Sequence, residues 1–256
     1  MKYTINTYPD SQVTASVYET EDPLLYIKER INNYADLFKV AAIVDAARTQ
    51  RSPHIILDIP CLFGQRSDVR FKENESFDLK IITNFINSLD LEQVFVFDPH
   101  SNVSLGLLNN STKRSSFGFV KQTISALENG NGWGKNLTLV SPDSGAYKKV
   151  FSYAEDLKLP LVAANKFRDR DGKITLNILG DVKGKDCLIV DDLLDGGSTF
   201  HLLAEQLKQQ GASKVFLYVS HAYFNKGIDF TPYIDHFYCT NSVKDITHDK
   251  VTQFDL

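Results

Sequence analysis

Apolar residues along this chain come in short dense runs: 54–60, 93–99, 137–142, 161–165, 186–192 and 214–221 are rich in β-branched and aromatic side chains, and several end on acidic or turn-forming residues. Runs of this length are what strands buried on both faces present. Between them, residues 26–49, 77–89, 146–157 and 198–210 carry apolar positions at helical spacing, and Gly211 stands where a C-terminal helix cap belongs. Strand and helix in alternation predict an α/β architecture with mostly parallel sheets.

The polar, glycine-containing stretch 106–116 breaks this alternation and reads as a linker or loop. Two α/β units of similar plan are therefore expected, residues 1–110 and 111–256. A second glycine-rich stretch, residues 129–134, reads as a helix-to-strand connection. No short-period repeat or low-complexity segment is visible.

Composition changes this picture little. At 256 residues, 43% hydrophobic and 23% charged, the chain reads as a folded soluble protein. Its 28 basic and 32 acidic residues leave a net charge of −4, which argues against nucleic acid as a partner and requires local groups to hold any phosphate-rich ligand. Cys61, Cys187 and Cys239 lie far apart in apolar runs and read as reduced core residues of a cytoplasmic protein. No apolar stretch is long enough to span a membrane, and the first residues lack a signal-peptide core, so no membrane partner is expected.

The strongest chemical signal is the run Asp191, Asp192, Leu193, Leu194, Asp195, Gly196, Gly197, Ser198, Thr199, which joins a buried strand to a helix. In open α/β sheets ligands sit at the carboxyl ends of strands. Glycines there let backbone N–H groups converge, and the following helix offers its positive end, so the loop is an anion cradle. Asp191 and Asp192 would repel a phosphate unless they face sugar hydroxyls or a divalent cation. Phosphate at one end and diol at the other describe a ribose 5-phosphate unit. The plain alternative is a strand-to-helix turn capped by Ser198 or Thr199.

This segment resembles the ribose-phosphate binding motif shared by ribose-phosphate pyrophosphokinases (phosphoribosyl pyrophosphate synthetases) and type I phosphoribosyltransferases. Other motifs lean to the synthetases. The segment from Pro60 to Arg70 is similar to their Pro-Tyr-Ala-Arg-Gln-Asp-Arg stretch, with Arg66, Asp68 and Arg70 in register and Ser67 in place of Gln. Asp98, Pro99, His100 resembles their Asp-Leu-His segment. Ser141, Pro142, Asp143, Ser144, Gly145, Ala146 resembles their pyrophosphate loop, with Ala146 replacing a second glycine. Lys166 and Arg168 resemble the Lys-x-Arg at the base of the catalytic flap, with Gly180, Asp181, Val182, Lys183 following at the family's distance. Tyr8, Asp10 and Gln12 resemble the adenine loop that reaches into a neighbouring subunit.

The resemblance implies two phosphoribosyltransferase-like α/β domains, the first on the ATP side and the second on the ribose-phosphate side. It implies ATP binding by Tyr8, Asp10, Gln12, Arg66, Asp68, Arg70 and His100, and Mg2+ held by Asp98, His100 and Asp143. Asp143, Ser144 and Gly145 would hold pyrophosphate, Asp191, Asp192, Asp195, Gly196, Gly197, Ser198 and Thr199 the ribose phosphate, and Lys166 and Arg168 would be catalytic. The reaction would pass pyrophosphate from ATP to the anomeric hydroxyl in a homodimer or higher oligomer. Most family members are longer; by that likeness this chain begins about one strand and helix late and stops before their last helix, so the resemblance does not extend to hexamers or to ADP and phosphate regulation.

The family's usual Asp-Thr-Gly/Ala/Cys-Gly-Thr is Asp195, Gly196, Gly197, Ser198, Thr199 here. Less bulk at 196 predicts room for a substituent on the 5-phosphate. In length and loop the chain resembles short, often phage-encoded relatives that pyrophosphorylate ADP-ribose for NAD synthesis, which places ADP-ribose slightly ahead of ribose 5-phosphate as acceptor. A phosphoribosyltransferase and an inactive regulatory homologue are the alternatives.

Overall fold

The computed structural model describes every residue except 19–22, 51–53, 71, 131 and 169–173, and describes no side chain for residues 166–168 and 174–175. Two compact units are present, Met1–Ser115 and Ser116–Leu256.

The first unit opens with an antiparallel hairpin of β1 (Lys2–Thr7) and β2 (Val13–Tyr18). It continues through β3 (Leu24–Lys28), α1 (Tyr34–Arg48), β4 (His54–Ile59), α2 (Asp78–Ser88), β5 (Gln93–Phe97), α3 (Val103–Leu107) and β6 (Ser111–Arg114). The last four strands form a parallel sheet in the order β3-β4-β5-β6. Leu25, Ile27, Leu57, Ile59, Val94 and Val96 form one core with Val40, Ile43 and Val44 of α1 and Leu79, Ile82 and Ile86 of α2. Each such side chain is worth roughly 1.5–3 kcal/mol when removed from water.

Two expectations are corrected here. Residues 26–49 are not one helix: Leu25 and Ile27 are buried while Tyr26 and Lys28 are exposed, a period of two that belongs to strand β3. The helix starts only at Tyr34, where the Asn33 side chain accepts a hydrogen bond from the Asp36 N–H and caps it. The stretch 106–116 is not a bare linker, because Ser111–Arg114 within it pairs with β5 as an edge strand.

The second unit runs α4 (Phe117–Asn129), β7 (Leu137–Ser141), α5 (Ser144–Leu157), β8 (Leu161–Arg168), β9 (Ile174–Leu179), β10 (Asp186–Leu194), α6 (Ser198–Gln209), β11 (Lys214–Ala222), β12 (His236–Thr240) and β13 (Val251–Phe254). Its sheet has the order β13-β12-β11-β10-β7-β8-β9, parallel except for the β8–β9 pair. Val120, Ile124, Val150 and Tyr153 cover Leu139, Leu188 and Val190 on one face. Phe200, Leu203 and Leu207 cover Val140, Ile189 and Leu217 on the other. A parallel sheet needs both faces covered, which is why its strands read as continuous apolar runs. Gly211, at φ +91°, follows α6 and donates its N–H to the Lys208 carbonyl at 3.0 Å, ending the helix.

The chain is thus an α/β protein with mostly parallel sheets. The three cysteines are buried and none is in a disulfide. Among the described residues, no helix is long and apolar enough to cross a membrane.

Candidate active site

In the second unit the chain leaves β7 for β8 on one side, while β10 lies on the other side of β7. Strand order reverses at that point, and the crevice at the carboxyl ends of such strands is where open α/β sheets bind ligands. The loops after β7 and β10 carry Asp143 and the run from Asp191 to Thr199, so sheet order brings together segments distant in sequence.

Asp143 is the N-cap of α5: its Oδ1 accepts from the Ala146 N–H at 3.0 Å, and its carbonyl accepts from the Ser141 hydroxyl at 2.9 Å. Ser144 and Gly145 are exposed on the first turn, where helix N–H groups face outward. Asp192 is buried, and its N–H donates to Asp191 Oδ1 at 2.8 Å. Burial, followed by the neighbouring Asp192 and also Asp143, raises the Asp191 carboxyl well above the usual carboxylate range, against the opposing charge of Lys149. Three carboxylates and one lysine therefore share this corner, and Asp191 resists ionising without a partner.

The rest of the loop turns into α6. The N-cap of α6 is Gly197 at φ +76°, with no side-chain cap hydrogen bond, so neither Ser198 nor Thr199 caps it. A Cβ at 197 would collide with the Phe230 ring. This position therefore requires glycine twice over, for its left-handed backbone and for close approach.

Residues after β11 lace this loop in place. Tyr223 N–H donates to the Leu194 carbonyl at 2.8 Å, Asn225 N–H to the Asp195 carbonyl at 3.1 Å, and Asn225 Nδ2 to Asp195 Oδ1 at 2.6 Å. Lys226 lies over Gly196 and donates from Nζ to Ser198 Oγ at 3.2 Å. The expectation that a bare residue 196 leaves open room is corrected here, since the Lys226 stem lies over it. Sequence reading missed Lys226; a lone lysine in a loop gives no pattern to find it by.

Lys166 and Arg168 stand on β8, whose backbone pairs with β9 through Lys166↔Leu176 and Arg168↔Ile174. Their side chains lie outside the described residues. Their strand is next to β7 in the sheet.

In the first unit, the loop after β4 turns at Gly64, φ +71°, where an added Cβ would lie 2.6 Å from Ile82 Cδ1. The turn carries Gln65 inward, leaving 3% of it exposed. Gln65 Oε1 accepts from the His100 N–H at 3.0 Å, and Nε2 donates to Cys61 Sγ at 3.6 Å. The loop bearing Arg66 is thereby tied to the loop bearing His100. Arg66 and Arg70 are exposed, Asp68 is half-buried, and Arg70 Nη1 donates to the Glu75 carbonyl at 3.0 Å.

Asp98 ends β5 fully buried at φ +36°, a left-handed conformation that costs a non-glycine residue energy, and its N–H donates to the Arg114 carbonyl at 2.9 Å. Tyr8, Asp10 and Gln12 occupy the tip of the β1–β2 hairpin. Tyr8 N–H donates to the Gln12 carbonyl at 2.8 Å, the Asp10 carboxylate accepts from the Gln12 N–H at 3.0 Å, and the Tyr8 ring is 46% exposed. Among the described residues, no group of three or more His, Cys, Asp or Glu is assembled to hold a metal ion.

Against known proteins, residues 117–248 match the phosphoribosyl transferase domain family. The ribose-phosphate pyrophosphokinase of Rhizobium meliloti is 27% identical over 230 residues, covering 88% of this chain and 73% of that protein. That of Mycoplasma pneumoniae is 28% identical over 235 residues, covering 86% and 69%. The solved phosphoribosylpyrophosphate synthetase of Mycobacterium smegmatis superposes with a TM-score of 0.81 at 18% identity, over 99% of this chain and 86% of that one, which shows a shared fold.

Proposed function

This chain belongs to the phosphoribosyl transferase domain family and, within it, is a pyrophosphokinase-like enzyme of the ribose-phosphate pyrophosphokinase type; from that premise we propose that it moves the β,γ-pyrophosphoryl group of ATP to the 1-hydroxyl of a ribose 5-phosphate moiety, releasing AMP. One observation carries this reading over a plain phosphoribosyltransferase. Likeness to the pyrophosphokinases covers 88% of the chain, whereas the transferase domain covers only 117–248 and leaves the first unit, with Arg66, Asp98 and His100, without a role.

In this reading Asp191 and Asp192 accept hydrogen bonds from the ribose hydroxyls. The loop from Asp195 to Thr199, Gly196, Gly197 and Ser198 included, directs N–H groups at the 5-phosphate. Asp143, Ser144 and Gly145 receive the pyrophosphoryl group at the start of α5. Arg66, Asp68, Arg70 and His100 bind the ATP phosphates and ribose, with guanidinium forks suited to phosphate oxygens. Tyr8 stacks on adenine, with Asp10 and Gln12 shaping the hairpin tip, and an exposed ring at such a tip suits a site shared in a homodimer or larger oligomer. Lys166 and Arg168 bear on the β-phosphate as charge moves to the leaving AMP.

Mg2+ is the metal this chemistry uses. It takes oxygen donors and typically engages one or two carboxylates plus substrate phosphates rather than a full protein cage. Among the proposed ligands, the Asp143 carboxylate caps α5 through Oδ1 and has Oδ2 to offer an ion, and Asp98 offers a carboxylate in the first unit, while His100, a nitrogen donor, serves the ATP phosphates. When bound, the ion neutralises phosphate charge and lowers the pKa of a hydroxyl it meets.

The acceptor is a ribose 5-phosphate moiety, with ADP-ribose, giving a 1-pyrophosphate for NAD synthesis, slightly ahead of free ribose 5-phosphate. The exposed Ser198 and Lys226 at the rim of the cradle support a second phosphate leaving in that direction.

The test is ³¹P NMR of protein, Mg2+ and ATP with ribose 5-phosphate or ADP-ribose in separate tubes. AMP appearing in step with a new pyrophosphate doublet names the acceptor. No AMP in either tube overturns the reading.

A further inference from the structure

The acceptor loop is acidic, with Asp191, Asp192 and Asp195, yet must hold a phosphate carrying up to two negative charges. Backbone N–H groups alone leave that balance poor. Lys149 stands beside Asp191 at one end of this loop, and Lys226 lies against its glycine end. An added Cβ at Gly196 would lie 3.3 Å from Lys226 Cε, 3.5 Å from Cδ and 3.6 Å from Cγ, so the lysine stem runs along the bare backbone of residue 196. Its Nζ ends 3.2 Å from Ser198 Oγ, on the first turn of α6.

This placement is built. Lys226 sits in a tight turn with Phe224 at φ +50° and Gly227 at φ +79°, closed by the Gly227 N–H donating to the Phe224 carbonyl at 2.9 Å. Asn225 beside it is tied to Asp195 through both its backbone and its side chain. Several other lysines of this unit pair with carboxylates, Lys250 with Asp229 and both Lys208 and Lys214 with Asp235, while Lys244 donates to the Tyr223 carbonyl. Lys226 instead ends on a neutral hydroxyl at the mouth of a helix.

We propose that Lys226 is the phosphate-recognising cation of the acceptor site, and that Gly196 lacks a side chain so that the lysine stem can lie there. The inference rests on the pyrophosphokinase reading for the identity of the ligand, a phosphate borne on C5 of ribose, as a monoester or within a diphosphate. Glycine at 196 is not demanded by the backbone, since its φ lies outside the left-handed region. Space for Lys226 is then the physical reason for its small size.

The experiment measures binding of ribose 5-phosphate and of ADP-ribose by titration calorimetry, and KM and kcat for each with Mg2+ and ATP, in wild type, Lys226→Met, Lys226→Arg, Gly196→Thr and the double variant Gly196→Thr with Lys226→Met. Lys226→Met keeps the stem and removes the charge, so it should weaken acceptor binding and raise acceptor KM on the order of 10-fold or more, with kcat nearly unchanged. Lys226→Arg should restore part of the loss. Gly196→Thr should weaken binding alone and add little once Lys226 is Met.

A larger loss with ADP-ribose places the lysine on the second phosphate, and equal losses place it on the first. Wild-type binding in Lys226→Met overturns the inference, as does full additivity of the two substitutions. Should wild type bind acceptor but make no AMP, the pyrophosphokinase reading fails while the binding series still decides Lys226. Failure of wild type to bind either compound overturns both.

Discussion

The side chain of Gln65 accepts a hydrogen bond from the backbone N–H of His100 at 3.0 Å, joining the loops that follow two neighbouring strands of the first unit. The buried amide makes their geometry common, so that Arg66 and His100 are placed together.

Gln65→Leu should therefore leave the His100 N–H without its partner and loosen both loops. We expect a stability loss of about 1–2 kcal/mol in urea unfolding and a rise in KM for ATP, with acceptor KM unchanged. An unchanged KM for ATP would remove the tether from the site's design.

Asp191→Asn tests the strained carboxylate, and its sign follows from linkage. The folded-state pKa lies above the ordinary 3.8, so the folded chain binds more protons than the unfolded chain as pH rises past 3.8, and stability falls across that window. The amide removes this penalty. Thermal melts should show the variant more stable than wild type at pH 7, with the gain shrinking to nothing below about pH 4. Acceptor turnover should fall in the same variant, a trade of activity for stability.

Lys166→Ala and Arg168→Ala should each lower kcat by roughly 10²–10³, the scale of a lost transition-state donor. Steady-state kinetics with saturating ATP and acceptor reads this directly, and a change confined to KM would contradict the catalytic role.

Gly197→Ala should be the most damaging single change in the acceptor loop. It forces a left-handed residue and drives a methyl group into Phe230, at a cost of about 2 kcal/mol or more in denaturant unfolding. Phe230→Ala in the same chain should recover part of the loss by relieving the collision, a recovery that backbone strain alone would not permit.

Several elements were legible because their signal is local. Runs such as 137–141 and 187–190 are buried at every residue since both faces of their sheet are covered, and 198–209 repeats its apolar positions at helical spacing for one core. Strand β3 was misread because it spans Leu24–Lys28 only, and its alternation merges by eye with the helix beginning at Tyr34. Strand β6, Ser, Thr, Lys, Arg, has no apolar residue at all; it exists through its pairing with β5.

The same division holds at the site. The aspartates and glycines of the loop after β10 announce an anion cradle by their own chemistry, because φ preference and charge belong to each residue and need no partner to be read. What Asp191 faces, what ties Arg66 to His100, and what fills the space over Gly196 are decided by neighbours far away in sequence: Asp143, Gln65 and Lys226. Asp143 and Asp191 meet because strand order puts β10 beside β7, Lys226 reaches Gly196 by the path of the loop after β11, and Gln65 reaches His100 because β4 and β5 are neighbours. Strand order is a property of the folded sheet as a whole. The sequence by itself therefore determined most local elements and the chemistry of the loop after β10, while the tertiary structure alone decided which side chains surround that loop, since contacts between distant segments form only once the sheet has assembled.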